Sequence, residues 1–186
     1  MAVDLGPDGL TLGSTTINDW DDVGGGKLLQ VQTVADSTDA TFSGAYINVD
    51  SISSTAGILL LTKTLTAQSS TSTFIVMAHP ITGESGNNDA GSVATLFVGS
   101  TFLTACSSGL FVYSHGWGAP PQTVPNMLLA KWSGSHSAGS SYTFNVRVGN
   151  HSNSTSTIRK NNMGTAPLGY TNTAIPSTMV IYEVEA

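Results

Sequence analysis

The side chains that could do acid–base, nucleophilic or metal chemistry are few and scattered along the chain. The histidines are His79, His115, His136 and His151, and none of them stands at a metal-ligand spacing from another histidine, a cysteine or a carboxylate. The sequence therefore predicts no metal site and no bound cofactor within one chain. The one metal arrangement left open is an ion held by symmetry-related histidines on a trimer axis.

Cys106 is the single cysteine, so an intramolecular disulfide is excluded. It ends the apolar run 102–106, where a small buried hydrophobic side chain is the usual role of a thiol. A nucleophilic role would need a nearby base, and the closest histidine in the sequence, His115, belongs to the next predicted strand. We expect a structural thiol.

The acidic residues do not form a catalytic pattern. Glu183 and Glu185 lie on the same side of an extended strand, and we expect both to lie in water rather than to face each other about 5–9 Å apart, as glycoside hydrolysis requires. Asp19, Asp21 and Asp22 resemble part of a calcium loop, but the glycine and distal glutamate of an EF-hand are missing. With neither a nucleophile elbow nor a phosphate-binding loop in the sequence, we expect no enzyme.

The composition excludes several classes of partner. A net charge of −6 and a pI near 4.8 oppose binding to nucleic acid or to an anionic membrane. The longest apolar stretch, residues 57–61, is far shorter than the ~20 residues that span a bilayer, and no signal peptide is visible. We expect synthesis in the cytosol and no membrane insertion.

The chain changes character at Gly24, Gly25 and Gly26. The residues before this hinge hold five aspartates, no basic residue and one aromatic residue, whereas the rest alternates strand-like segments with turn residues. We therefore divide the chain into an extended N-terminal anchoring arm, residues 1–26, and a β-domain, residues 27–186. The arm residues that we expect to contact a docking partner are Leu10, Leu12, Ile17, Asp19, Trp20, Asp21 and Asp22.

The β-domain is predicted to be an antiparallel β-sandwich or jelly roll, because short alternating segments recur with turn signals between them and no helical period appears. In the closing strand, Val180, Tyr182 and Val184 lie on one side and the two glutamates on the other. The predicted strands span residues 27–34, 41–49, 58–67, 73–79, 93–98, 101–106, 110–114, 127–132, 142–148, 155–159 and 178–184.

Two connections are longer than a hairpin needs, residues 116–125 and 161–176, and long ordered loops often carry function. Trp117 stands between glycines, which leaves both faces of its indole open for stacking on a sugar. The alternative for Trp117 is a plug at one end of the sandwich or at a subunit interface. The candidate contacts for a partner or a host glycan are Tyr113, His115, Trp117 and Tyr170.

Several segments resemble a known group of proteins. The arm sequence DGLTLGSTTINDW (residues 8–20) leads through the glycine hinge into residues 27–31, and ATLFVGST (94–101), residues 133–142 and STMVIYEV (177–184) follow. In these segments the chain resembles the C-terminal domains of tail-fibre-like proteins of tailed bacteriophages, particularly those of cyanobacterial and marine phages.

The resemblance implies a virion structural protein with a β-sandwich body, commonly trimeric, made in the host cytoplasm and displayed on the virion surface. Because the chain starts only a few residues before the arm, we expect no long shaft ahead of it. A short chain with an arm and a β-body is also similar to capsid decoration (cement) proteins. The matched segments favour a fibre-like adhesion component over cement, and in both cases the arm would bind other virion proteins.

Overall fold

The fold is all-β in a computed structural model that describes residues 4–6, 9–12, 15–17, 27–43, 45–85, 92–108, 122–150, 157–161 and 175–185. No helix occurs among these residues. The strands in chain order are β1 (Asp4–Gly6), β2 (Gly9–Leu12), β3 (Thr15–Ile17), β4 (Leu28–Asp36), β5 (Ala40–Ser43), β6 (Ile58–Thr66), β7 (Thr73–His79), β8 (Ile81–Ser85), β9 (Ser92–Val98), β10 (Thr101–Ser108), β11 (Gln122–Pro125), β12 (Leu128–Trp132), β13 (Ser141–Asn150), β14 (Thr157–Lys160) and β15 (Ser177–Val184).

Eight of these strands form a jelly roll, as the sequence predicts. The first sheet has the order β4-β15-β7-β12, and the second sheet has the order β6-β13-β9-β10. Every pairing within the two sheets is antiparallel. Strand β4 lies against β6 and β12 lies against β10, so the two sheets meet along both sides of the sandwich. Two four-stranded antiparallel sheets joined in this order are the arrangement of a double Greek key.

Alternating side chains build the core between the two sheets. In β13, Phe144, Val146 and Val148 are buried, while Asn145 and Arg147 between them point to the outer side. Phe144 lies with its ring centroid 5.7 Å from that of Phe74 on the first sheet, which ties the two sheets together at the centre of the core.

A third sheet continues the first sheet beyond a bend. Its order, β5-β14-β8-β11, repeats the order β4-β15-β7-β12, and each of its strands is next in the chain to the corresponding strand, with residues 161–176 between β14 and β15. Pro80 separates β7 from β8, and a proline without an N–H interrupts the ladder there. The third sheet therefore repeats the first sheet strand for strand.

Buried polar side chains hold this bend. Asn161 is fully buried with φ at 58°, a left-handed conformation that asparagine tolerates better than most residues. Its Oδ1 accepts hydrogen bonds from the backbone N–H and the hydroxyl of Ser177, and its Nδ2 donates to the carbonyl of Thr38. The Ser177 hydroxyl in turn accepts from the N–H of Ile81 at 2.8 Å. One asparagine thereby joins the β4–β5 connection to β15 and, through Ser177, to β8.

The segment predicted as an anchoring arm contains a small sheet of its own. Strands β1, β2 and β3 form an antiparallel sheet in the order β1-β2-β3, with Leu10 opposite Leu5 in one pairing and opposite Ile17 in the other. The division into an arm and a body, and the anchoring role of residues 1–26, stay predictions.

Some strand predictions differ from the structure. The predicted strand over 41–49 ends at Ser43, and beyond it Tyr46 makes only an isolated bridge to Asn150. Neither β8 nor β11 is among the predicted strands. Pro80 stands directly before β8, and prolines often mark turns. Strand β11 lies inside the predicted loop 116–125. The strand predicted over 110–114 falls outside the described residues.

Candidate functional site

The outer side of the first sheet carries large apolar side chains in contact with solvent. Leu129 is 59% exposed, Leu28 54%, Met77 43% and Val31 42%. Half-buried side chains on the same side of β7 and β15 fill the space between them. We call this surface the apolar face; it comprises Leu28, Val31, Ile75, Met77, Leu129, Val180, Tyr182 and Val184.

The register of the sheet makes the apolar face continuous. Leu129 pairs with Met77, which pairs with Val180 on its other side. Residues directly opposite each other in a sheet have Cβ atoms about 4.5–5.5 Å apart, so these side chains contact one another across three strands. The next row on the same side runs Lys131, Ile75, Tyr182 and Val31.

The apolar face is almost uncharged. Among the outward side chains of the four strands of the first sheet, Lys131 on the edge strand β12 carries the one formal charge. The long stem of a lysine at an edge can cover apolar surface while its ammonium stays in water. An uncharged apolar surface on a protein of net charge −6 is typical of an interaction surface.

The inner side of the first sheet holds a buried carboxylate, which the sequence pattern does not predict. The prediction that Glu183 lies in water is wrong, since its side chain is 0% exposed; Glu185 is half-buried. Oε1 of Glu183 accepts hydrogen bonds from the backbone N–H groups of Gln68 at 2.8 Å and Ser69 at 3.2 Å. These donors come from a turn more than a hundred residues away, so no local pattern could reveal them.

Two side chains complete the environment of Glu183. The hydroxyl of Ser72 donates to Oε1 at 2.7 Å, and the amide of Gln30 donates to Oε2. Burial alone raises the pKa of a carboxyl group, but the hydrogen bonds from Gln30, Ser72, Gln68 and Ser69 outweigh it and lower the pKa of Glu183 below its usual value. The carboxylate therefore stays ionised inside the protein.

A histidine lies on the far side of Ser72. Nε2 of His136 is 3.0 Å from the Ser72 hydroxyl, and Nδ1 is 2.7 Å from the carbonyl oxygen of Gly134. In a catalytic triad the carboxylate binds the histidine, whereas here Glu183 binds the serine. Ser72 is also only 1% exposed, so its hydroxyl is out of reach of a substrate. These hydrogen bonds join the segment that holds Ser72 and the segment that holds His136 to Glu183 on strand β15.

An aromatic cluster covers this end of the sandwich. Trp132 lies with its ring centroid 5.1 Å from that of Tyr142 and 5.3 Å from that of Phe74. The imidazole of His136 packs edge-on against Tyr142 at 6.0 Å. A plug at one end of the sandwich is the alternative role predicted for Trp117. At the end covered by this aromatic cluster, Trp132 occupies such a position.

The outer side of the second sheet carries a polar row along β6 and β13, and Leu59 (45% exposed) and Phe102 (44% exposed) lie on the same side. Thr64 and Thr143 join their hydroxyls at 2.8 Å across β6 and β13, and the hydroxyl of Thr62 donates to Oδ1 of Asn145 at 2.8 Å. We call this row the hydroxyl ladder; it comprises Thr62, Thr64, Thr66, Ser141, Thr143 and Asn145. Since its polar groups bond to each other and remain open to water, the hydroxyl ladder needs no partner to cover it.

Most residues predicted as contact sites fall outside the described residues. For Leu10, Leu12 and Ile17 the structure gives only the backbone, in β2 and β3. The docking, hinge and glycan-contact roles therefore stay predictions. The remaining residues of those predictions, none of which is described, are Asp19, Trp20, Asp21, Asp22, Gly24, Gly25, Gly26, Tyr113, His115, Trp117 and Tyr170.

The thiol and the histidines can be placed in part. Cys106 is half-buried and packs against the core, and burial raises the pKa of its thiol, as expected for a structural cysteine. His79 is exposed at the end of β7.

Within the described ranges, no group of three or more His, Cys, Asp or Glu side chains is close enough to share a metal ion. The same ranges contain no helix with the length and apolarity needed to cross a bilayer.

Comparison with known proteins gives weak structural similarities. No protein-family model and no curated protein matches the sequence. Among solved structures, the chain is similar to the tripod of the bacteriophage Tuc2009 baseplate, with 13% identity and a TM-score of 0.40 over 94% of this chain and 70% of that chain. It is also similar to the structure of infectious bursal disease virus Gx strain, with 14% identity and a TM-score of 0.38, covering all of this chain and 42% of the other. At these TM-scores the similarities carry no argument about function.

Proposed function

We propose that this chain is a non-enzymatic structural protein of a tailed-phage virion. In this proposal it is a fibre-like surface or adhesion component, trimeric, displayed on the particle and docked on other virion proteins through residues 1–26. The observation that supports it best is the apolar face on an otherwise weakly charged β-sandwich. Such a surface is typical of a subunit that is built into an assembly.

The sequence resemblance favours one of the two positions on the particle. The segments that resemble phage proteins, such as residues 94–101 and 177–184, are similar to tail-fibre domains. They form strands β9 and β15, together with the turn and the start of β10 that follow β9, and these elements are central to the jelly roll. We therefore favour a fibre-like role, with capsid cement as the alternative.

Purified particles of the phage that encodes this chain provide the test. Peptide mass spectrometry of washed particles should detect the chain at a constant ratio to the major capsid protein, and gold-labelled antibodies should bind the tail. Labelling of the head instead would support the cement alternative. If washed particles contain none of the chain, it is not a virion component.

The anchoring arm has a separate test. Deleting residues 2–23 should leave a folded, assembled β-domain that no longer attaches to particles lacking the chain, because the deletion removes the tether and spares the jelly roll. The full-length chain added to the same particles is the control. Normal attachment of the truncated protein would show that docking depends on the body.

A further inference from the structure

We propose that the apolar face binds a second copy of this chain. This inference rests on the trimeric assembly in the proposed function and goes further by assigning the surface that holds the copies together. The members that contribute most exposed area are Leu129, Leu28, Met77 and Val31, on three of the four strands of the first sheet.

The face, rather than the edges, is the surface available for this contact. A sheet can bind another chain by adding a strand to an open edge. Here both edge strands of the first sheet lie against the second sheet, β4 against β6 and β12 against β10. Contact through the flat outer side instead packs side chains against side chains, as in the packing of two sheets.

The area of the apolar face is in the range of a specific contact. Its eight side chains together expose roughly 400–600 Å² of surface, so a contact that covers this face and an equal area on the neighbouring copy buries about 800–1,200 Å², around the ~1,000 Å² expected of a biological interface. A patch of this size is at the upper end of what soluble monomers expose. The exposed members are aliphatic or methionine side chains, and methionine adapts its shape readily to a partner.

The charge distribution favours a second copy over a charged partner. Each copy carries a net charge of −6, so two copies repel each other over most of their surface. On the outward side of the first sheet's four strands the one formal charge is Lys131, at the edge strand, where it can remain in water at the rim of an interface. Copies can therefore meet here without burying an unpaired charge.

The experiment compares matched glutamate substitutions on the two outer sides of the sandwich. Met77→Glu lies at the centre of the apolar face, and Thr64→Glu lies in the hydroxyl ladder; both positions are accessible from outside the sandwich. Light scattering should give the wild type and Thr64→Glu the mass of two or three chains. Met77→Glu should raise the dissociation constant more than about tenfold, because assembly would bury an unpaired charge. A wild-type mass of one chain, or an unchanged assembly in Met77→Glu, would overturn the inference.

Two further variants keep the result interpretable. Leu129→Glu on the edge strand repeats the test at a position that is 59% exposed, in case the central substitution affects folding, which circular dichroism would detect. Deleting residues 1–26 tests whether the chain's own arm covers the face. If a monomeric wild type begins to associate after this deletion, the arm is the occupant and the inference is wrong. Detection of the chain in washed particles is independent of all these outcomes, so the virion role can stand or fall separately.

Discussion

The two sheets of the sandwich differ on their outer sides. The second sheet is apolar inside, with Phe144 and Val146 in the core, and carries the hydroxyl ladder along β6 and β13 outside. The first sheet is apolar on both sides: Phe74 and Met179 lie in the core beside the buried carboxylate of Glu183, and the apolar face lies outside. A sheet that covers a core and faces water has the first distribution. The outer side of the first sheet is therefore not optimised for water.

The first sheet also shows how a polar group can be placed in a core. Glu183 is buried because the N–H groups of Gln68 and Ser69, together with Ser72, satisfy its oxygens. Without those donors, burial of a carboxylate would cost more than folding could recover. The outer side of strand β15 is then free to carry Val180, Tyr182 and Val184 as part of the apolar face.

The largest expected effect concerns the inner side of the second sheet. Phe144→Ala should lower the free energy of unfolding by about 4 kcal/mol, because it leaves a cavity beside Phe74 that the packed core cannot fill. Urea unfolding followed by fluorescence measures this loss. Phe102→Ala is the control, since Phe102 is 44% exposed on the outer side and should cost about 1 kcal/mol. Equal losses would mean that the core does not lie where we place it.

The second effect concerns the inner side of the first sheet. Glu183→Leu should lower the free energy of unfolding by about 3 kcal/mol, because it leaves the N–H groups of Gln68 and Ser69 without their acceptor. Glu185→Leu, two residues further along the chain, should change it by about 0.5 kcal/mol or less. If both substitutions cost the same in urea unfolding, the buried network contributes nothing specific.

The third effect is the response to acid. The pKa of Glu183 in the folded protein is lower than its usual value, so its ionised form stabilises the fold fully above the unfolded-state pKa of about 4.3. That stabilisation should be lost progressively as the pH falls from there through the folded-state pKa. Glu183→Gln should flatten the dependence of the urea midpoint on pH in this range. Part of the slope should remain, because the hydrogen-bonded pair with Lys160 likewise lowers the pKa of Asp36. An unchanged slope would contradict the assignment to Glu183.

The smallest effect concerns the hydroxyl ladder. A double-mutant cycle of Thr64→Ala and Thr143→Ala should give a coupling of about 0.5 kcal/mol, the usual value for a cross-strand hydroxyl pair. Neither substitution should change the oligomeric mass, because the ladder faces water while the apolar face holds the copies together. A change in mass would move the assembly surface to the second sheet.

The sequence could predict the jelly roll but not the direction in which two of its strands face. Strand β15 is apolar on both sides apart from its glutamates, so alternation suggests that Val180, Tyr182 and Val184 point inward, whereas Met179 and Ile181 are the buried ones. The choice depends on donors brought to Glu183 from residues 68–72, and a single sequence does not reveal such distant partners. The sequence does not reveal the apolar face for the same reason, since it is the side of β15 and β4 that the pattern places in the core.

The mass of the full-length chain in solution tests the central claim most directly, because the claim is that the apolar face is covered by another copy. Sedimentation equilibrium from about 1 to 100 µM should give a mass two or three times the 19.2 kDa of one chain at the higher concentrations. A mass of 19.2 kDa at every concentration would contradict it.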